Sequence, residues 1–249
     1  MESVTDIIEL SHVDAGYGRQ VVLRDLNFSV RRGEIFVMLG GSGCGKSTVL
    51  KHMIGLNPVL GGRLAIDGLE WTAKTRQTLT RKIGVMFQSG ALFGSMTCLE
   101  NVMLPLEEFS GLSRAGRIGK AMELLAAVEL EDAAEKLPGE ISGGMRKRAA
   151  IARAMALDPE ILFLDEPSAG LDPITASALD DLVLRLRDER STTFVVVTHE
   201  LPSIRKIADR AVMFDKARGG AVAIGGVREL EESEDEFTRR FFARGGGKI

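Results

Sequence analysis

The sequence is short of several things, and each shortage excludes something. It holds only two cysteines, Cys44 and Cys98, in 249 residues. Two thiols build no disulfide framework, which excludes a stapled secreted scaffold and suits a reducing cytosol. Apart from eleven phenylalanines, the aromatics are Trp71 and Tyr17 alone. No apolar run approaches the ~20 residues needed to cross a bilayer; the longest, such as Ile35 to Leu39, are of strand length. The opening MESVTDIIEL has neither a basic n-region nor an apolar h-region, so no secretion signal is expected. A basic surplus is missing too. The formal net charge is -3, which argues against a general nucleic-acid grip, and no nucleic acid is expected as a partner. What remains is 45% hydrophobic and 27% charged. That is an ordinary globular composition, on a chain long enough to bury a substantial core. Composition describes a soluble cytosolic protein and leaves its function undecided.

The order of patterns along the chain says more. Ile7 to Val13 and Val21 to Val30 read as strands, joined by the glycine-bearing AGYGRQ. The run EIFVML ends abruptly in GGSGCGKST, and VLKHMIGL then has helical spacing. RLAIDG and RKIGVMFQ look like further strands. From Ser89 to about Asp158 the spacing becomes helical, with ENVMLPLEEF, RIGKAMELLAAVEL and MRKRAAIARAMAL. Buried-strand patterns return in EILFLDEP and TTFVVVTHE around a helix-like TASALDDLVLRLRDE. AVMF and GAVAIGG suggest a closing hairpin, ELEESEDEFTRRFFARGGGKI a charged amphipathic end, and the last five residues disorder. Strands alternating with helices predict an α/β core carrying an inserted helical subdomain.

Gly40, Gly41, Ser42, Gly43, Cys44, Gly45, Lys46 and Ser47 fit the pattern G-x-x-x-x-G-K-[ST], following a strong strand and opening a helix. Glycines allow backbone N–H groups to turn inward around an anion, and the helix adds the positive end of its dipole. Lys46 can reach β- and γ-phosphates, and the Ser47 hydroxyl can face Mg2+. The bare pattern arises by accident in about 1–2% of chains this long, and its strand and helix flanks lower that further. A nucleoside triphosphate is the expected ligand.

Ile161 to Leu164 read as a central parallel strand that ends in Asp165 and Glu166. Doubly wound folds place their chemistry at such strand ends. Asp165 suits Mg2+, and Glu166 suits polarisation of an attacking water. His199 follows another buried-looking strand and points to the same crevice, whereas His12 and His52 read as structural. Ser142 stands as N-cap to a basic helix. The run Arg146, Lys147, Arg148 reads as a solvated helix face.

SGG before that basic helix, then LFLDEP, SAGLD and a strand-end His, in register from about Ile7 to Phe242, resembles the ATP-binding-cassette ATPases. The resemblance implies a P-loop NTPase (RecA-like) α/β core with an antiparallel β-subdomain and an inserted α-helical subdomain. One cassette would cover 1–249: core at 1–88 and 159–228, helical signature subdomain at 89–158, C-terminal extension at 229–249. ATP and Mg2+ are the implied cofactors, with Ser47, Gln88 and Asp165 at the metal and Glu166, His199 and Gln88 catalytic. Tyr17 matches the aromatic that stacks on adenine, and Gly40 to Thr48 the ATP-binding loop. Ser142, Gly143, Gly144 and Met145 match the signature that meets ATP held by another subunit, and Asp172 the loop that communicates between sites. One phosphate loop and one signature per chain imply a head-to-tail homodimer.

SGGM, FQSGALF and DEPSAGLDPIT are similar to the ATPases of Mla and Mce systems, which move lipids across the bacterial envelope. That similarity implies an MlaE-like integral-membrane permease, an MCE-domain lipid-binding protein, a small STAS-type regulatory subunit, and a place on the cytoplasmic face of the inner membrane. Within Ser89 to Phe109, some of Leu92, Phe93, Met96, Leu104 and Leu106 are expected to form a permease-docking groove. FTRRFF could dock on the partner copy. Rival readings are an importer for amino acids or ions, a DNA-repair or chromosome ATPase, and a translation-associated ATPase. The second usually carries coiled coils or zinc inserts, and the third two cassettes per chain.

Overall fold

The computed structural model describes residues 5–243; the expected disorder of Gly245 to Ile249 lies outside them. Along the chain run β1 (Asp6–Tyr17), β2 (Gln20–Arg31), β3 (Ile35–Gly40), α1 (Lys46–Met53), β4 (Gly61–Ile66), β5 (Leu69–Glu70) and α2 (Arg76–Lys82). There follow β6 (Ile83–Met86), α3 (Cys98–Phe109), α4 (Arg114–Ala127), α5 (Gly143–Ala154), β7 (Ile161–Asp165) and α6 (Pro173–Arg190). The chain closes with β8 (Thr193–Val197), α7 (Leu201–Ile207), β9 (Arg210–Asp215), β10 (Gly220–Gly225), α8 (Val227–Glu231) and α9 (Glu236–Ala243). Two compact units result: one takes the chain up to Thr80 and again from Thr193, the other is Arg81–Thr192.

In the first unit, β1 and β2 form the antiparallel pair expected around AGYGRQ, and β4 and β5 extend it in the order β2-β1-β4-β5. Leu26, Phe28 and Val30 are buried while Asn27 is exposed, the period of two that commits one strand face to a core. A second sheet is built on β3, whose six residues are all buried. It pairs parallel with β8 on one side and β9 on the other, and β10 closes antiparallel on β9. Phe28 stacks on Phe36 at 5.6 Å between centroids and tilts against Phe214 at 6.2 Å. Each such burial stabilises the unit by roughly 1.5–3 kcal/mol.

In the second unit, β6 and β7 run parallel, in register from Ile83↔Ile161 to Met86↔Leu164. Helices α3, α4 and α5 pack on one another. Each starts on a side chain that accepts from its first turn: Thr97 with a capping box to Glu100, Ser113, and Ser142. Asp172 does the same for α6, and Ser191 ends it in the left-handed region.

Three features depart from expectation. The short helices α2 and α7 were not foreseen. The amphipathic C-terminal end breaks into α8 and α9. Phe241 and Phe242 are buried within the chain itself, so those rings are not available to dock on a second copy. Among the described residues, no helix is long and apolar enough to cross a membrane.

Candidate active site

The phosphate loop leaves the buried end of β3. Gly40 has φ 144°, and a Cβ there would stand 2.6 Å from both the Phe214 carbonyl oxygen and Cys44 Sγ, so only glycine fits. Gly45, at φ 110°, turns the chain into α1, which opens without a side-chain cap. Its first amides are therefore left to an anion rather than to a neighbouring side chain. Lys46 is folded back over the loop, its Nζ donating to the carbonyls of Gly40 at 2.7 Å and Gly41 at 3.2 Å. Ser42, Gly43 and Ser47 are exposed, whereas Thr48 is buried. Cys44 is 2% exposed, so its thiol is packed within the loop.

The same unit brings two further expected residues to this end of the sheet. β3 and β8 are parallel with Met38 opposite Val197. His199, two residues beyond Val197 and exposed, thus emerges at the end where the loop begins. Tyr17 ends β1 and is 45% exposed, and its phenol oxygen accepts from Thr48 Oγ1. His52 is structural, as expected: Nε2 accepts from the Gly16 amide at 2.9 Å and Nδ1 faces the Asn57 carbonyl at 3.1 Å. A pocket of about 430 Å3 beside the loop is lined by Gly41, Ser42, Cys44, Asp215, Lys216, Ala217 and Phe237. Phe237 comes from α9 and had no sequence signal beyond the amphipathic end.

The second unit gathers the acidic pair, Gln88 and the signature. Asp165 closes β7 and Glu166 follows it at φ 48°, a left-handed conformation that residues with a Cβ rarely take. Gln88 is exposed two residues beyond Met86, the residue opposite Leu164, so both strand ends present their side chains at one edge. Ser142 Oγ accepts from the Met145 amide at 3.2 Å, which leaves its hydroxyl proton free to meet an anion. Gly143 and Gly144 open α5, and a Cβ on Gly144 would stand 2.5 Å from Thr175 Cγ2. Met145 is half-buried. Asp172 is exposed at the start of α6, where Thr175 hydroxyl and amide donors hold its carboxyl below the usual aspartate value.

The basic run on α5 is only partly the solvated face expected of it: Arg146 is exposed, but Lys147 turns inward. Lys147 is buried, and its Nζ donates to the backbone carbonyls of Gln88 and Glu166. Arg146 Nη1 donates to the Ile141 carbonyl at 2.7 Å, and Arg148 Nη1 contacts Glu129 Oε2 at 3.1 Å. Arg153, lower on the helix, donates to the carbonyls of Gly90 and Ala91, and burial pushes its guanidinium below the ordinary arginine value. A signal for Lys147 existed: it shares a helical face with Gly144, Ala150 and Ile151, all buried.

Parallel strands, a glycine loop running from the buried strand β3 into α1, and an acidic pair at the end of β7 define a P-loop ATPase core. The ABC transporter family model matches residues 23–169. The chain belongs to that family, as an ATP-binding cassette domain. It is 38% identical over 96% of its length to the probable ribonucleotide transport ATP-binding protein mkl of Mycobacterium tuberculosis, spanning 66% of that relative. It is 36% identical over 96% of its length to MlaF, the intermembrane phospholipid transport ATP-binding protein of Escherichia coli, spanning 90% of it. It is 39% identical over 90% of its length to the methionine import ATP-binding protein MetN 1 of Rhodococcus jostii, spanning 68% of it. Among solved structures, cbiO1 of Clostridium perfringens aligns with TM-score 0.84 at 26% identity, covering 96% of this chain and 95% of that one. The cassette MJ0796, solved as a dimer bound to ADP and Pi, aligns with TM-score 0.78 at 32% identity, covering 89% and 99%.

Proposed function

We propose that this chain is the ATP-hydrolysing subunit of a bacterial transporter that moves phospholipid or another lipid across the cell envelope. Lipid as the cargo rests on one observation: the relation to MlaF runs through 96% of this chain and 90% of that one. In the proposed reaction Lys46 and the loop amides hold the phosphates, and Tyr17 stacks on adenine. Glu166 accepts a proton as water attacks the γ-phosphorus and the bond to the ADP oxygen breaks. Gln88 senses the attacking water and His199 contacts the γ-phosphate. The hydroxyl of Ser47, the Gln88 side chain and the Asp165 carboxylate are hard oxygen donors that fit Mg2+. When bound, the ion would neutralise phosphate charge.

Ser142, Gly143 and Gly144 form a helix-end anion site suited to ATP held by a second copy, with Asp172 in the communicating loop. Two copies head to tail make the working unit, and Glu166→Gln should trap it. Sizing E166Q with and without ATP tests this: a monomer in both, with ATP bound, overturns it. The proposed organisation keeps the core at 1–88 and 159–228, the helical subdomain at 89–158 and the extension at 229–249.

The permease is proposed to dock on the helical subdomain. A groove of about 450 Å3 there is lined by Met96, Leu99, Met103 and Ile118 together with the charged Glu100, Glu107, Arg114 and Glu135. Leu106 is core and Phe93 is exposed. Single-cysteine variants across Ser89 to Phe109 that yield no permease crosslink overturn the docking. An MlaE-like permease at the cytoplasmic face of the inner membrane, an MCE-domain protein and a STAS-type subunit complete the proposed complex. The MetN relation favours a second reading, an importer for amino acids or ions. Co-purification with an MCE-domain protein supports lipid; a small-solute binding protein in its place supports the importer.

A further inference from the structure

Lys147 lies one turn into α5 on its buried side, 8% exposed. A cation so placed must be satisfied by fixed acceptors, because burial strips its water. Two of those acceptors are backbone carbonyls: that of Gln88, just past β6, and that of Glu166, just past β7, at 3.3 Å in the second case. β6 and β7 are neighbouring parallel strands, so one ammonium spans the two strand ends that carry the proposed water-handling side chains. Glu166 also needs holding. Its φ of 48° is a conformation from which an L-residue relaxes unless its peptide is tied down. Its carbonyl is held by Lys147 Nζ and by the Ala169 amide at 3.2 Å.

We propose that Lys147 is a positioning residue for hydrolysis. Its ammonium fastens the Glu166 and Gln88 peptides to the first turns of α5, the helix that begins at Ser142, Gly143 and Gly144. An anion seated on that helix end and the carboxylate of Glu166 then belong to one rigid element. A shift of the helix is a shift of the base. The inference rests on the reading of Glu166 as that base, and adds the link by which the signature end of α5 reaches it.

The test uses the full chain with Lys147→Met, Lys147→Arg and Glu166→Gln, read as kcat, KM, ATP binding and thermal midpoint. K147M should lower kcat about 10–100-fold while KM and ATP affinity stay within about twofold, because the cation acts on the base and not on the phosphate loop. K147R, which restores a cation, should regain about tenfold of that loss. An unchanged kcat in K147M, beside a slow E166Q, overturns this inference alone. Parallel losses of affinity, midpoint and rate in both K147M and K147R also overturn it, since that is a merely structural role. If K147M does not fold, Lys147→Gln, whose shorter side chain offers a neutral amide in place of the cation, should lose about 3–10-fold in kcat, and a normal rate there is equally fatal. A wild-type chain that hydrolyses no ATP defeats the reading of the site itself, a result plainly different from the others.

Discussion

Thr48 Oγ1 donates a 2.9 Å hydrogen bond to the phenol oxygen of Tyr17, fastening the end of β1 to the first turn of α1. Lys51 Nζ stands 5.6 Å from the centroid of the same ring. The aromatic proposed to stack on adenine is thus oriented by the helix that springs from the phosphate loop. Ring and hydroxyl have separable jobs. Tyr17→Ala should raise the KM for ATP about 5–100-fold, the worth of one base–aromatic stack, while Tyr17→Phe should stay within about threefold. Steady-state kinetics on both variants decide it; equal effects would mean that the hydroxyl matters more than the ring.

Lys46 and Glu166 should fail in different ways. Lys46→Ala removes the side-chain cation that folds back over the loop, so ATP binding should weaken at least tenfold. Glu166→Gln removes a general base, so kcat should fall about 100–10000-fold with ATP still bound. Fluorescent-nucleotide binding and phosphate release, measured on both, separate the two roles.

Both thiols are buried, Cys44 in the phosphate loop and Cys98 at the start of α3. Folded protein should therefore show almost no rapidly reacting thiol, and two in denaturant. Labelling in the native state should be at least about 100-fold slower than in urea, since it waits on local opening. One fast thiol in native buffer would contradict the packing of Cys44 against Gly40.

Asp235 anchors α9. Burial alone would raise its carboxyl, but the Arg218 ion pair and the Thr238 amide and hydroxyl outweigh it and hold the pKa below the usual aspartate value. The sign follows: the contribution is present above the ordinary aspartate range and is lost as pH falls through the depressed folded value. Asp235→Ala should cost about 1 kcal/mol at pH 7, as a lost helix cap does. The gap to wild type should close in strong acid. Urea midpoints across pH measure it, and a gap that widens in acid would reverse the assignment.

The residues that announce themselves in sequence are those whose chemistry is local. Gly40 through Ser47 needs glycine for reasons inside the loop, and Glu166 and His199 are marked by the apolar strands directly before them. Lys147 is harder to see because its partners lie 59 and 19 positions away, and only the helical face it shares with Gly144, Ala150 and Ile151 marks which of three cations turns inward. The short helices α2 and α7, seven residues each, offer too few turns for periodicity to show. Asp172 came from the family resemblance alone; its second role, as the cap of α6 with its carboxylate accepting from the amides of Ile174 and Thr175, is a finding of the structure.

The left-handed backbone at Glu166 has a consequence for anyone engineering this protein. Glycine or asparagine would sit there with less strain, by roughly 1 kcal/mol. A library sorted only for heat resistance should therefore drift toward those residues at position 166 and lose turnover as it gains melting temperature. Durability and catalysis are opposed at that one peptide, and selection must be made on both.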